Sequence, residues 1–554
     1  MKPETRGNLA SRILSGLMLA PLLLLAPAAL EVIRFAAQCI QFPYQLDPEE
    51  GALLFQSMML RHGELFYRPL LDYPYIAGTY APLYHAANAL MLLFFDPGFA
   101  PGRVMSLAAV IATLLCAAAI LWRQTRYPFI SLCCPLFYLV SYSMVYWIGF
   151  YRVDLTAIAL NAAGLAALFA AQERRNWHAW LAGAMFLLAG YTKQSQLAAP
   201  LAAMIYLLCT DRKSAWRVAA VWIGGGVLIF AALNVITRGQ FYIHTVRFNA
   251  NEFEWRQLPG NLRHLRNFNL WFALGGAWSV VYLIYAAIRD RMFANETDVA
   301  LAVQDPPDML DPRKGDSLFF VLYAALCMLY IVGLAKKGSS YNYVLEPLLS
   351  MGLLVGVGAG RMLDERLVHP AERPRKKLWI YSGYAAFIIL LALLTLHSWQ
   401  LTSGGFPRPE NRFRKVMFWR ERTHLSNGAP LQAGNRALTA VRQVPGEVYS
   451  ELPIFSILAG RQPHFQPFIM SRLAREGKWD QSGFVRDLRA GRFALLILAE
   501  PIETMDPRTG TNLYTAEMAA AMRHTYRRAG ADGCPGWFDL YYYTPRSNGV
   551  QKSR

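Results

Sequence analysis

The side chains best suited to chemistry are carboxylates set beside long apolar runs. Asp47, Glu49 and Glu50 fall together in Asp47-Pro48-Glu49-Glu50-Gly51, just after the first such run. Asp72 follows in a stretch of Tyr and Pro, and Asp154 closes Tyr151-Arg152-Val153-Asp154. A carboxylate next to a membrane segment is costly to desolvate, so it usually faces water, a partner or a reaction. Cations lie in comparable places: Lys193 beside Gln194 in a short turn, and Lys336 and Lys337 ahead of Tyr341-Asn342-Tyr343 and Glu346-Pro347. A carboxylate can take the proton of an attacking hydroxyl while Lys or Arg stabilises a departing phosphate. This pairing suits transfer from a phosphate-linked donor. Each residue also has a plain structural reading. Asp47 could cap a helix opened by Pro48, Asp154 could pair with Arg152, and Glu346 with Lys336 or Lys337. His62 and His85 share the loop with Asp47, but no Cys or His spacing resembles a zinc site.

The elements that must hold these residues are apolar. Of 554 residues, 55% are hydrophobic and only 17% charged, and several runs approach the length that crosses a bilayer as a helix. The chain reads as a polytopic α-helical membrane protein with about eleven transmembrane helices. The expected spans are 13–40, 103–122, 128–148, 154–172, 177–191, 196–210, 218–237, 269–288, 317–335, 343–360 and 378–397. The stretch 41–102 is a long outer loop whose pieces 48–63 and 82–95 suit the membrane interface. The net charge is +18, and Lys or Arg occur in every even-numbered connection, as the positive-inside rule expects of cytoplasmic loops. The same parity puts Asp47, Asp154, Lys193 and Glu346 at the outer face. Residues 398–554 hold no span. Strands at 447–450, 493–498 and 537–543, with helix over 470–490, predict a small α/β domain there. One connection breaks the charge rule. The expected outer loop 238–269 carries Arg238, Arg247, Arg256, Arg263 and Arg266. Arg binds phosphate oxygens as a bidentate fork, so an anionic substrate group is one resolution, and contact with anionic lipid headgroups is the other.

In the order of its motifs the chain resembles the GT-C membrane glycosyltransferases, particularly the protein mannosyltransferase-like and aminoarabinose transferase-like bacterial enzymes. The matching pieces are Asp47 to Gly51, Tyr80-Ala81-Pro82-Leu83-Tyr84, Gly102-Arg103, Arg152-Val153-Asp154, Thr192-Lys193-Gln194, Gly338 to Tyr343 and Glu346-Pro347. The resemblance covers about residues 10–400, close to the bounds of the expected membrane module, 1–397. The resemblance implies a polyprenyl-phosphate sugar donor, a glycan, lipid or protein acceptor, and inversion at the anomeric carbon. It places the site and the tail domain on the periplasmic face of a bacterial inner membrane. It also implies an acid base in the first loop, which falls on Asp47, with Glu49 as competitor because Asp-Pro-Glu-Glu-Gly departs from the commoner Asp-Glu-Gly. Glu50 belongs to the same catalytic motif and Asp154 is the second acid. Lys193, Arg247, Arg256, Arg263 and Lys337 would hold the donor phosphate. Asp72, Tyr80, Tyr84, Arg152, Gln194, Tyr341, Asn342, Tyr343 and Glu346 would contact substrates. Some members use a divalent metal ion and others do not. The rival readings are a transporter or flippase, which should show repeat symmetry between halves, and a non-catalytic envelope-assembly protein that binds lipid-linked sugars.

Overall fold

A computed structural model describes residues 3–170, 175–301, 312–368, 392, 428–534 and 537–546. Among these, five helical segments are long and apolar enough to cross a membrane: Pro21–Gln41, Ala100–Thr125, Arg212–Ile236, Asp316–Ala335 and Tyr341–Leu363. Shorter apolar helices lie between them. In chain order the helices are α1 (Pro3–Gln41), α2 (Glu50–Arg61), α3 (Leu83–Met91), α4 (Ala100–Thr125), α5 (Pro128–Leu139), α6 (Tyr142–Trp147), α7 (Val153–Phe169), α8 (Asn176–Thr192) and α9 (Ala198–Thr210). They continue with α10 (Arg212–Ala219), α11 (Gly226–Ile236), α12 (Gln240–Tyr242), α13 (Leu258–Leu301), α14 (Pro312–Tyr330) and α15 (Leu345–Val368). Helix α7 packs on α8 and α4, while α15 packs on α4, α5, α13 and α14.

Several expected spans change shape. The run 128–148 divides into α5 and α6 because the chain turns at Ser141, whose hydroxyl bonds the Tyr138 carbonyl. At roughly 18 Å, α5 is too short to cross alone. The run 218–237 is part of one continuous rod, 212–236, in which a π-helical turn (Ala220–Gly225) joins α10 to α11. The span 269–288 lies inside α13, which kinks at Asn269. The expected span 378–397 lies outside the described residues, apart from the single position 392. The basic stretch 238–269 is not an open loop, since a second π-helical turn (Ile243–Arg247) and the start of α13 occupy much of it. Helix α2 is not laid flat on an interface. Both polar and apolar residues, among them Glu50, Leu53, Leu54, Gln56, Ser57 and Met59, are buried.

The tail forms an α/β domain with a four-stranded sheet ordered β1-β2-β4-β3: β1 (Glu447–Ser450), β2 (Phe493–Leu498), β3 (Tyr526–Asp532) and β4 (Leu540–Pro545). Strands β1 and β2 are parallel and the other pairs antiparallel. Around the sheet pack α16 (Ala429–Gln443), α17 (Pro453–Leu458), α18 (Pro467–Arg475), α19 (Ser482–Arg489) and α20 (Ala516–Thr525). The expected helix 470–490 is thus two helices, α18 and α19, parted beyond the turn at Gly477. Strand β3 was not expected. Its sequence, YRRAGAD, is an edge strand exposed at Arg527, Arg528 and Ala529 and lacks the apolar alternation that marks half-buried strands.

This domain carries a buried acid at the end of β1. Glu451 accepts from the Ala499 N–H and the Tyr514 hydroxyl, and burial pushes its carboxyl up to about 7. The folded state therefore keeps a proton that the unfolded chain has released. The resulting stabilisation is complete below the unfolded value near 4.5 and is lost as pH rises through about 7. Glu451→Gln has no proton to lose. Its stability, read as melting temperature, should gain on that of the wild type between about pH 4.5 and 7, by roughly 1.4 kcal/mol for each pH unit inside that window. A difference in melting temperature that is flat with pH would refute this.

The domain is seated on the first loop of the membrane module. The Tyr44 hydroxyl bonds Asn435 (2.6 Å), the Trp537 indole bonds the Gln45 carbonyl (2.6 Å), and the Ile454 amide bonds the Gln45 side chain (3.0 Å). Gly434 lies so close to the Tyr44 ring that a Cβ would sit 2.2 Å from it. On the other side, Tyr75 pairs with Phe465 in a parallel bridge.

Candidate active site

The site is built on a buried ion pair. Arg103, in the first turn of α4, and Glu50, which opens α2, are both wholly buried and paired at 2.9 Å. The guanidinium also donates to the carbonyls of Cys39, Phe42 and Tyr44. The carboxylate also accepts from the amides of Leu46, Asp47 and Tyr151. This one pair fixes the end of α1, the acid loop, the start of α4 and the chain entering α7. The Glu50 oxygens are fully engaged in that structural work, unlike those of its neighbours.

Asp47 follows from that anchoring. Its Oδ1 accepts from Arg152 (2.9 Å) and from the Glu49 amide (3.1 Å), and its side chain is 16% exposed. Glu49, not Asp47, directly precedes α2 and makes no capping bond with its own side chain, while Asp47 holds the Glu49 amide at the helix entrance. Burial raises the Asp47 carboxyl above its ordinary range, against the pull of Arg152. Burial raises Glu49 as well, again against Arg152. Glu49 turns to the tail domain, where Gln466 donates to it at 2.5 Å.

Arg152 links this corner to a second. It donates to Asp47 and to the Tyr80 hydroxyl (3.2 Å), and its Nε lies 3.8 Å from Asp154. Asp154, in the first turn of α7, has no exposed surface. It accepts from Trp147 (3.1 Å), Lys193 (2.6 Å) and Asn342 (2.7 Å). Lys193 caps the C-terminus of the adjacent helix α8. An acid at the start of one helix and a cation at the end of its neighbour both suit the helix dipoles. Burial alone would lower the Lys193 ammonium, but Asp154 holds it well above its ordinary value. The Tyr343 ring lies 5.3 Å from that ammonium. The result is an alternating row, Asp47–Arg152–Asp154–Lys193, drawn from three separate parts of the chain.

Gln194 crosses to the carbonyls of Thr79 and Thr245 (2.8 and 3.1 Å). Beside it opens a cleft of 410 Å³ lined by Leu187, Tyr191, Trp222, Phe230, Phe241 and Gln194, between α8, α11 and α12.

Other expected site residues fall elsewhere. Tyr84 is wholly buried, edge-on to Tyr151 at 5.5 Å. Asp72 is exposed, and the side chain that meets it, Arg68, bonds its carbonyl. Glu346 does not pair with Lys336 or Lys337. It is buried inside the bundle, accepting from Asn161 and Tyr323 at 3.2 Å each. Tyr341 is half-buried, with Asn342 and Tyr343, in the 3-10 turn ahead of α15. Arg247, Arg256 and Arg263 are exposed, and among the described residues none forms an ion pair with the acid row. Lys337 pairs outward with Glu254 (3.4 Å). Its neighbour Lys336 turns inward to the Asn249 carbonyl, close enough to Arg472, Lys193 and Lys478 that these cations, after burial, lower its ammonium. Trp147 and Gln466 were missed in the sequence, and Lys336 was noted there but the donor phosphate was given to Lys337. For Lys336 a signal existed, but two adjacent lysines in a turn do not say which faces in.

The arrangement does not fit a resident divalent ion. Asp47 and Asp154 already meet Arg152 and Lys193, and no three His, Cys, Asp or Glu side chains converge among the described residues.

Two solved structures share the fold over most of the chain. ArnT from Cupriavidus metallidurans bound to undecaprenyl phosphate superposes with a TM-score of 0.54 at 13% identity, covering 97% of this chain and 100% of that one. The apo state of the same protein gives 0.51 at 14% identity, covering 94% and 97%. The fold is the GT-C fold. No family model and no curated protein matches the sequence. In the GT-C frame the acid loop between α1 and α4, the α7 and α8 ends and the tail domain all meet at one end of the bundle.

Proposed function

We propose that the chain is an inverting glycosyltransferase. It moves a sugar from a polyprenyl-phosphate carrier to an acceptor hydroxyl at the outer face of the bacterial inner membrane. The observation that carries this reading is the row Asp47–Arg152–Asp154–Lys193 lying by the Gln194 cleft. ArnT, whose fold this chain shares, was crystallised with undecaprenyl phosphate.

Asp47 has a carboxylate oxygen left over from Arg152 and the Glu49 amide, and takes the acceptor proton. The acceptor oxygen then bonds the anomeric carbon as the carbon–oxygen bond to phosphate breaks. That electron pair stays on the phosphate, which leaves with one more negative charge. Lys193 and Lys336 meet this charge, and Arg152 keeps Asp47 ionised beside it. Asp154 is a positioning residue that aims Lys193 and Arg152, and Glu50 belongs to the scaffold. The apolar cleft takes the first isoprene units of the carrier. Holding both substrates in line supplies much of the rate.

The test uses full-length protein in nanodiscs. Undecaprenyl phosphate should bind, and Lys336→Gln should weaken binding about tenfold, the worth of one charge-assisted hydrogen bond. A panel of radiolabelled undecaprenyl-phosphate sugars with envelope extract should yield labelled product. Absence of both binding and transfer would refute the reading.

A further inference from the structure

The tail domain does more than cover the acid loop, because one of its side chains enters the carboxylate pair. Gln466 is 5% exposed and held at both ends of its amide. Its Nε2 donates to Glu49 Oε2 (2.5 Å), and its Oε1 accepts from the Ala77 amide (3.1 Å). A flipped amide would set its NH2 against the Ala77 N–H, so both contacts fix one orientation. The backbone is fixed too. The Gln466 amide donates to the Tyr75 carbonyl (3.0 Å), and the following Pro467 holds Gln466 extended.

Arg152 is the cation whose charge acts most strongly on both acids of the loop, ahead of Arg472 at Glu49. It acts on Asp47 and Glu49 alike, yet it bonds only Asp47. What keeps Glu49 away is the neutral amide from the tail domain. We propose that Gln466 is a positioning residue that draws Glu49 aside, so that Arg152 serves Asp47 rather than Glu49 and Asp47 faces the acceptor. The catalytic consequence rests on the glycosyl-transfer reading above, while the competition for Arg152 does not. Without Gln466, Glu49 contests Arg152, and Asp47 loses its partner and its placement.

The experiment has two readouts on full-length protein in nanodiscs. The first needs no substrate. Carbodiimide with glycine ethyl ester labels reactive carboxyls, and fragment mass spectra resolve Asp47 from Glu49. Gln466→Leu should raise labelling of both acids several-fold while the exposed Glu64 stays constant. A rise at Glu49 alone, or no change, would overturn the proposal. The second readout is kinetic, with whichever undecaprenyl-phosphate sugar is transferred. In Gln466→Leu, kcat should fall about 10- to 100-fold, the cost of an ångström-scale misplacement, with donor KM within about twofold. Adding Glu49→Gln should recover most of that loss, because the competitor for Arg152 is gone. A loss that Glu49→Gln does not relieve would overturn the proposal, since a purely structural role predicts no rescue. If the wild type transfers no sugar, the glycosyl-transfer reading fails, and the labelling result still decides whether Gln466 holds the two acids apart.

Discussion

Asp47→Asn is expected to lower kcat by roughly 10²- to 10⁴-fold, the usual worth of a positioned general base. The substitution is close to isosteric. Its amide oxygen can still accept from Arg152 and the Glu49 N–H, so the loop keeps its shape and loses only its proton acceptor. Donor KM should change little, because Lys193 and Lys336 stand apart from that bond. Glu49→Gln keeps an oxygen for Gln466 and should cost less than about tenfold. The wild type should lose activity as pH falls through the raised Asp47 value, because protonation removes the base. That limb should therefore lie above the ordinary aspartate range near 3.8. Full activity in Asp47→Asn with none in Glu49→Gln would move the base to Glu49.

Arg103→Ala should be the most damaging single change to the fold. It removes a wholly buried cation that pairs with Glu50 and satisfies the carbonyls of Cys39, Phe42 and Tyr44. Breaking one side of a buried pair costs about 3–5 kcal/mol, because the remaining charge is left uncompensated. Each orphaned carbonyl adds about 1 kcal/mol or more. Against the roughly 5–15 kcal/mol of a typical native state, little folded protein should survive detergent extraction. Glu50→Gln keeps acceptor capacity for Arg103 and should show a smaller drop in melting temperature. Fluorescence-detected gel filtration after heating separates the two. Equal, mild effects would show that the pair is not the anchor described.

The members of the acid–cation row were legible from side-chain type. Asp47, Arg152, Asp154 and Lys193 were singled out as acids and cations at span ends, and they form the row. What stayed hidden depends on contacts across long sequence separations. Glu50 looked like a third catalytic acid because its partner Arg103 lies 53 positions away on another helix. Glu346 was paired on paper with nearby lysines, whereas burial in α15 hands it to Asn161 and Tyr323. The donor-phosphate role of Arg247, Arg256 and Arg263 came from the resemblance and the charge of their stretch, whereas their exposed placement in and around a π-helical turn and the start of α13 was not readable there. Span positions read well from hydropathy. Breaks such as Ser141 and the kink at Asn269 did not, since both arise from backbone geometry that apolar composition masks. Gln466 had no signal at all, as a lone glutamine before a proline resembles any loop residue.

The seating of the tail on the first loop also imposes an order on biogenesis. Gln45 meets Trp537 across 492 residues of chain. At about 5–20 residues per second, synthesis of that interval takes roughly 25–100 s. The membrane helices and the acid loop are thus made well before the groups that complete them. Until then Gln45, Glu49 and Tyr75 lack their final partners, and a chain interrupted after α15 stops with them unmet. Completion of the site is in effect a check that translation has passed Trp537.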